Sequence, residues 1–252
     1  MMDLEQKQAQ HYDAISEEYN AHYGDPQSIR YRHRFVFGPL LRGLELNGAT
    51  FLDAMCGQGE VSEFVRARGA KPMGLDVSPE QVKSYERHCQ GSTGICASIL
   101  DTGLDSESVD YVSVIGGLHH VQPDVPGALR EIHRILKPGG MLLFFEPHKG
   151  SFFDLLRRVW YGQDGLFEEN EEALDMKALR AEFADSYHVD FEYYKGNIAY
   201  LFVYNSMVFR LPVGAKKYYA PPLLFLERLI APFQFSWNSC FVIGRWQKRP
   251  TP

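Results

Sequence analysis

The stretch that decides the fold is Thr50-Phe51-Leu52-Asp53-Ala54-Met55-Cys56-Gly57-Gln58-Gly59, followed by Glu60-Val61-Ser62-Glu63-Phe64-Val65. Its apolar start predicts a short buried strand over 50–53, and its glycines predict a tight turn into a helix that begins at Glu60. Glycine is needed where the backbone approaches a ligand closely or takes a positive φ, and N–H groups at a helix start favour an electronegative group. The turn is therefore predicted to hold a nucleotide-like ligand, although an ordinary strand-to-helix turn is the alternative.

An acid at the end of this strand indicates which ligand. Asp53 lies four residues before Gly57, where a carboxylate can accept hydrogen bonds from a cationic amine. A dinucleotide-binding turn usually has an apolar residue there and a third glycine where Ser62 stands here. Asp53, Gly57 and Gly59 resemble motif I of the class I S-adenosylmethionine (SAM)-dependent methyltransferases, usually D-x-G-C-G-x-G. Met55 replaces the first glycine of that form, so the resemblance implies crowding at the methionine end of SAM.

A second predicted strand, over 71–76, also ends in an acid. Asp76 follows Gly59 by 17 residues, the distance that one helix and a return strand cover in a βαβ unit. A carboxylate at that strand tip can accept hydrogen bonds from both ribose hydroxyls, and Val77 is placed to lie against the adenine. Ser78 and Pro79 predict the start of the next helix.

The third and fourth units complete the expected cofactor site. Related methyltransferases often carry an acid at the position of Ser98, so the contact with the adenine amino group is expected to be weaker or to pass to the Ile99 backbone. Residues 108–115 are apolar enough for a central strand, and Ile115 at its end is expected beside the cofactor. The run REIHRILKPGGMLLFFEP resembles the helix and fifth strand that follow in this family, so the resemblance covers about residues 50–148.

Two adjacent histidines follow the fourth strand. Because ligands sit beyond the carboxyl ends of strands in open α/β sheets, His119 and His120 are expected at the same crevice, where an imidazole could take a proton from an acceptor hydroxyl. We expect one ring to face the substrate, with His119 favoured, and the other to pack; a structural role for both is the alternative. Glu146 and His148 are candidate substrate contacts. These four residues lack the spacing of a dedicated metal site, and no metal is expected.

The segment before the glycine turn is predicted to be helical. Its Tyr12-Asp13-Ala14-Ile15-Ser16-Glu17-Glu18-Tyr19 resembles the lid that many small-molecule methyltransferases place over SAM. The resemblance implies that Tyr12 and Tyr19 close over the ligand. A helix whose tyrosines only pack is the alternative.

The last hundred residues carry little that resembles the family. Residues 239–246 suit the final strand, which in class I methyltransferases inserts antiparallel between strands five and six. Residues 197–236 would then be an inserted helical cap whose aromatic content suggests an apolar or lipid-linked acceptor. Packing on the domain or a homodimer interface is the alternative for this apolar surface.

Composition limits the remaining classes of function. A net charge of −6 gives no electrostatic reason to expect nucleic acid. Cys56, Cys89, Cys96 and Cys240 form no CxxC pair, no leader peptide is recognisable, and no stretch is apolar enough to span a membrane. We therefore expect a cytoplasmic protein.

The prediction is one α/β domain over 1–252: a doubly wound, seven-stranded, Rossmann-like sheet with an N-terminal helical lid (1–48), a SAM-binding core (49–150) and an acceptor-side half (151–252) that includes the cap. The expected reaction is methyl transfer from SAM to a small-molecule acceptor, a hydroxyl on an apolar or lipid-linked metabolite, leaving S-adenosylhomocysteine (SAH). A SAM-binding protein without methyl transfer, a SAM enzyme of other chemistry and an NAD-dependent oxidoreductase remain alternatives.

Overall fold

The computed structural model describes residues 22–155, 172–207 and 209–250. These residues form a seven-stranded sheet with helices on both faces. The strands are β1 (Thr50–Ala54), β2 (Lys71–Asp76), β3 (Thr93–Cys96), β4 (Val109–Ile115), β5 (Leu136–Pro147), β6 (Tyr187–Lys195) and β7 (Phe241–Lys248). The α-helices are α1 (Pro26–Arg32), α2 (Gly38–Leu41), α3 (Glu60–Arg66), α4 (Pro79–His88), α5 (Val125–Ile135), α6 (Met176–Glu182) and α7 (Lys216–Ile230). Shorter helical turns are π turns at His33–Phe37 and Tyr200–Tyr204 and 3-10 turns at Leu118–Val121, Val213–Ala215, Ala231–Phe233 and Ser236–Asn238.

The strand order is β3-β2-β1-β4-β5-β7-β6. The first five strands pair in parallel, and β7 lies antiparallel between β5 and β6. This order confirms the predicted doubly wound sheet and the predicted place of the last strand. The chain winds outward from β1 in one direction and from β4 in the other, so a crevice opens at the carboxyl ends of these two strands.

Successive side chains along the central strands point to opposite faces of the sheet, so a hydrophobic core forms on each face. Leu52 of β1 and Val112 of β4 pack with α5 on one side. Phe51 and the neighbouring Tyr111 pack on the other side with the N-terminal helices and α7. Because both faces are covered, the central strands are apolar almost throughout, as parallel strands require.

Two elements begin earlier than predicted from the sequence pattern, which indicates a fifth strand over 141–145 and a helix over 222–231. Strand β5 begins at Leu136 rather than Met141, because Leu136 pairs with Val109 across a register shift and Gly139 takes a φ of 78° within the strand. Helix α7 begins at Lys216 rather than at 222, although Pro221 and Pro222 lie inside it. Proline is tolerated in the first turn of a helix but disfavoured further in, so the sequence pattern places the start of this helix at Pro222.

A buried ion pair joins α7 to the N-terminal helix. Lys216 Nζ lies 2.6 Å from Asp25 Oδ2 and donates to Ser28 Oγ at 2.9 Å. Asp25 in turn caps α1 by accepting from the N–H groups of Gln27 and Ser28. The inserted segment and the N-terminal helix therefore form one layer on the sheet, next to the crevice.

Candidate functional site

A cavity of about 440 Å³ lies at the carboxyl ends of β1, β2 and β4. The strand ends and the glycine turn supply most of its wall, while α1 and the Tyr200–Tyr204 turn close another side. The predicted site residues that line it are Asp53, Met55, Gly57, Gly59, Asp76, Val77, Ile115 and His120.

The glycine turn has the backbone that a ligand cradle requires. Gly57 and Gly59 take φ values of 48° and 79°, which are unfavourable for any residue with a Cβ. A Cβ on Gly59 would meet Cys89 Sγ at 2.5 Å, so α4 can pack only against a glycine there. A Cβ on Gly57 would meet no protein atom within 4 Å, which leaves the turn open on the cavity side.

Asp53 is a buried carboxylate at the cavity wall. Ser62 Oγ donates to its Oδ2 at 2.9 Å and Ser113 Oγ to its Oδ1 at 3.2 Å. Burial raises the pKa of Asp53 to about 7, against the lowering effect of these two hydrogen bonds. A carboxyl poised near neutrality can ionise when a cationic group enters the cavity.

Ser62 occupies the place of the third glycine of the dinucleotide motif. Its hydroxyl accepts a hydrogen bond from Tyr85 Oη at 3.0 Å while it donates to Asp53. Ser62, which replaces the third glycine of the dinucleotide motif, thus holds Asp53 in position. The dinucleotide motif usually has an apolar residue at the position of Asp53.

Asp76 organises the turn from the tip of β2. Its Oδ2 accepts from the Gly57 N–H at 3.2 Å, and its Oδ1 accepts from the Ser78 N–H at 3.0 Å. The carboxylate therefore links the glycine turn to the start of α4, and it lines the cavity beside Val77.

Met55 adopts a backbone conformation suited to glycine. Its φ is 56°, in the left-handed region, and its side chain fills the space beside Gly117. A Cβ on Gly117 would lie 2.7 Å from Met55 Sδ. The side chain of Met55, which replaces the first glycine of motif I, therefore fits because residue 117 is a glycine.

The adenine contacts expected at Ser98 and Ile99 are not part of the cavity lining. Ser98 Oγ accepts from the Leu100 N–H at 2.9 Å in a turn that folds back on itself. Ile99 is buried in the core.

The two histidines occupy different positions, and the ring on the cavity wall is that of His120 rather than the favoured His119. His120 lines the cavity, whereas His119 Nδ1 lies 2.7 Å from Oε2 of the fully buried Glu146. The two rings are 4.0 Å apart between centroids. His119 is therefore the ring that fixes the loop.

Glu146 and His148 lie behind the cavity wall rather than on it. Glu146 Oε1 accepts from the N–H groups of Gly117 and Leu118 at 2.9 and 2.8 Å. Burial raises its pKa to about 7, and these backbone hydrogen bonds oppose the rise. The His148 ring packs edge-on against Tyr194 and is buried. Neither residue lines the cavity, and substrate contact by Glu146 and His148 stays a prediction.

Two lining residues, Arg32 and Tyr204, belong to the predicted lid and cap segments but were not singled out by the sequence. Arg32 on α1 is buried, forms an ion pair with Glu60 and donates to the Tyr23 carbonyl at 2.7 Å. Tyr204 lies under the Arg32 guanidinium and packs edge-on against Tyr23. A cation within a predicted helix was the only signal for Arg32, and it does not distinguish Arg32 from Arg30 or Arg34. Tyr12 and Tyr19, the predicted lid residues, lie outside the described residues.

Comparison with known proteins shows which proteins the central part of the chain is similar to. Residues 52–144 match the methyltransferase domain family. A demethylmenaquinone methyltransferase of Staphylococcus epidermidis is 34% identical over 106 residues, which cover 39% of this chain and 43% of the relative. A ubiquinone biosynthesis O-methyltransferase of Xanthomonas oryzae pv. oryzae is 36% identical over 104 residues, covering 39% and 43%. The chain thus spans less than half the length of these curated relatives.

A solved structure shares the fold over most of the chain. N-methyltransferase NodS from Bradyrhizobium japonicum, crystallised with SAH, superimposes with a TM-score of 0.57 at 13% identity, covering 90% of this chain and 89% of NodS. The chain thus has the fold of the class I SAM-dependent methyltransferases, and residues 52–144 within it match a methyltransferase domain.

Proposed function

We propose that the protein transfers the methyl group of SAM to a small-molecule acceptor, a hydroxyl on an apolar or lipid-linked metabolite. The observation that carries the proposal is the composition of the cavity wall. Two carboxylates, Asp53 and Asp76, lie on it together with the open glycine turn. These acceptors fit SAM, which presents an ammonium group and two ribose hydroxyls as donors.

Each wall residue has a separate role in the proposal. Asp53 holds the ammonium group, Asp76 accepts from the ribose hydroxyls, and Val77 and Ile115 cover the adenine. Bound SAM would supply a sulfonium methyl group, whose bond to sulfur would break, releasing SAH, as the acceptor oxygen bonds to the methyl carbon from the opposite side. The chain contributes alignment and exclusion of water, effects that together remove about 7–11 kcal/mol of a barrier when the geometry is near attack.

His120 is the proposed general base. Its ring lies on the cavity wall, within the loop that His119 and Glu146 hold in place. A neutral imidazole can take the proton that the acceptor hydroxyl loses as its oxygen forms the new bond to carbon. An amine acceptor that arrives neutral would not need this step.

Two points support the proposed class of acceptor: the aromatic residues that line the cavity, and the names of two similar proteins. Tyr23, Phe37 and Tyr204 supply an apolar wall opposite the carboxylates. The names of two relatives, a demethylmenaquinone methyltransferase and a ubiquinone biosynthesis O-methyltransferase, concern quinones. These points favour an apolar acceptor over a sugar or a polar amine.

Met55 favours a second candidate, a SAM-binding protein without methyl transfer. Its side chain lines the cavity where the family usually has glycine. Such a protein would bind SAH but would transfer no methyl group to any acceptor.

The test begins with calorimetric titration of the protein with SAH and, separately, with NADH. We expect SAH to bind and NADH not to bind. Asp76→Ala should weaken SAH binding by about 1–3 kcal/mol, the cost of losing charged hydrogen bonds. Glu80→Ala is the matched control, because Glu80 is an exposed acid on α4 that lies outside the cavity lining.

Turnover then separates the two candidates. Transfer of labelled methyl from SAM to quinone-like phenols would support the proposal. Binding of SAH without transfer to any hydroxyl, amine or carbon acceptor would favour the second candidate, and binding of NADH alone would refute both.

A further inference from the structure

Helix α7 has apolar residues on its outward side as well as on the side that packs on the core through Ala220 and Leu224. Tyr218, Phe225 and Leu229 are 75%, 60% and 54% exposed, whereas Lys216 and Glu227 on the opposite side are each 1% exposed. A surface helix of a globular protein normally has charged or polar residues on the side that faces away from the core. The outward side of α7 is therefore built to meet something other than water.

The two buried charges fix this orientation. Lys216 Nζ lies between Asp25, Ser28 and the His22 carbonyl. Glu227 accepts from the N–H groups of Asn197 and Ala199, both at 2.9 Å, and from Gln234 Nε2 at 2.7 Å. Rotating α7 to bury its aromatic residues would break the hydrogen bonds of Lys216 and Glu227 and leave their partners unpaired. These two residues therefore hold the outward side of α7 in place.

The exposed apolar residues continue through the two 3-10 turns after α7. Phe233, Phe235 and Trp237 are each more than half exposed. We call the set Tyr218, Phe225, Leu229, Phe233, Phe235 and Trp237 the apolar patch. Aromatic residues of this kind are enriched where a protein meets the interface of a membrane with water.

The charges around the apolar patch have one sign. Over residues 209–240 the only acid is Glu227, which is buried, while Lys217, Arg228 and Arg210 are exposed. The chain as a whole carries a net charge of −6, so this segment differs in sign from the rest. A second copy of the patch would bring cations against cations, whereas an anionic surface would meet complementary charge.

We infer that the apolar patch docks the protein onto the surface of a bilayer that contains anionic lipid. The aromatic and leucine side chains enter the headgroup layer, and Lys217 and Arg228 pair with lipid phosphates. In the part of the chain that the structure describes, no helix is long and apolar enough to cross a membrane, so the contact is with one leaflet. Helix α7 contacts both α1 and the Tyr200–Tyr204 turn, so docking holds the cavity wall near the lipid.

The test is co-flotation of the full chain with vesicles of phosphatidylcholine and phosphatidylglycerol, compared with vesicles of phosphatidylcholine alone. The wild type should float with the anionic vesicles. The pair Phe225→Ser/Leu229→Ser should lower the bound fraction at least about tenfold, since it removes two buried apolar side chains from the contact. Phe152→Ser/Leu155→Ser is the matched control, because these two residues are equally exposed, at 57% and 60%, outside the patch.

A second pair of variants tests the charges. Lys217→Gln/Arg228→Gln should weaken binding to anionic vesicles by about thirtyfold. Arg87→Gln/Lys177→Gln removes the same charge from exposed positions on α4 and α6 and should have little effect.

Three outcomes would overturn the inference. The first is no flotation of the wild type with anionic vesicles. The second is undiminished flotation of both Phe225→Ser/Leu229→Ser and Lys217→Gln/Arg228→Gln. The third is a dimer in sedimentation velocity that Phe225→Ser/Leu229→Ser dissociates. SAH titration of the same variants keeps this result separate from the proposed function, because every variant should bind SAH as the wild type does.

Discussion

His119 Nδ1 lies 2.7 Å from Glu146 Oε2, and Glu146 Oε1 accepts hydrogen bonds from the N–H groups of Gly117 and Leu118. One fully buried carboxyl thus holds the backbone and one side chain of the loop that carries His120. Its geometry depends on an acceptor at both oxygens, which only a carboxylate provides.

Glu146→Gln should therefore destabilise the protein. A glutamine at 146 offers one acceptor oxygen, so at least one buried N–H group loses its partner at a cost of about 1–3 kcal/mol. At about 2–4 °C for each kcal/mol, the thermal midpoint should fall measurably in calorimetry. Glu182→Gln, at a half-exposed side chain on α6, is the control. An unchanged midpoint for Glu146→Gln would mean that the loop does not depend on this carboxylate.

The two histidines should separate in kinetics. His120→Gln should leave SAH affinity close to that of the wild type and lower the turnover of a hydroxyl acceptor about a hundredfold or more, as expected for loss of a general base. His119→Gln should lower the thermal midpoint, because it loses the contact with Glu146. The measurements are methyl transfer from labelled SAM across pH, calorimetric titration and thermal unfolding. Full turnover in His120→Gln would remove this residue from the chemistry.

Local patterns allowed prediction of the strands and of the part of the cavity wall that the strand ends and the glycine turn form. Asp53, Gly57, Gly59 and Asp76 are each specified within one strand-turn-helix unit, so their spacing alone placed them at the crevice. The antiparallel last strand followed from the family resemblance.

The remaining wall residues depend on contacts distant in sequence. The choice between His119 and His120 is made by Glu146, 27 residues away from the former. Tyr204 reaches the cavity only because the inserted segment packs on α1, through an ion pair of residues 191 positions apart. Periodicity and turn chemistry carry no information about such contacts, so these residues could not be predicted.

Asp53 should make SAH binding depend on pH. Its pKa in the free protein is raised to about 7 by burial, and an ammonium group beside it stabilises the ionised form, so the pKa falls on binding. Affinity should then decrease as the pH falls below about 7, by at most about tenfold for each pH unit, and should level off above it. Titration in buffers of different ionisation enthalpy should show a proton released on binding near pH 6. Asp53→Asn should bind more weakly and release no proton; the same proton release in this variant would assign the titration to another group.

Met55 should store backbone strain that glycine relieves. A residue with a Cβ at a φ of 56° costs about 1–2 kcal/mol relative to glycine. Met55→Gly and Met55→Ala both remove the side chain, but only glycine removes the strain. Met55→Gly should therefore unfold at the higher temperature of the two by several degrees. We also expect it to bind SAH more tightly than the wild type, because the side chain no longer narrows the cavity; equal midpoints for the two variants would refute the strain.

Gly117 tests the same contact from the other side. A Cβ on Gly117 would lie 2.7 Å from Met55 Sδ and 3.0 Å from Val114 Cγ1. Gly117→Ala should thus be strongly destabilising in the wild type and less so in Met55→Gly, where one of the two close contacts is gone. The free energies of unfolding of the wild type, both single variants and the double variant form a cycle whose interaction energy isolates the pair. A favourable interaction of about 0.5–3 kcal/mol is expected for residues in contact. Strict additivity would show that Val114 alone sets the limit at Gly117, and that Met55 does not depend on glycine there.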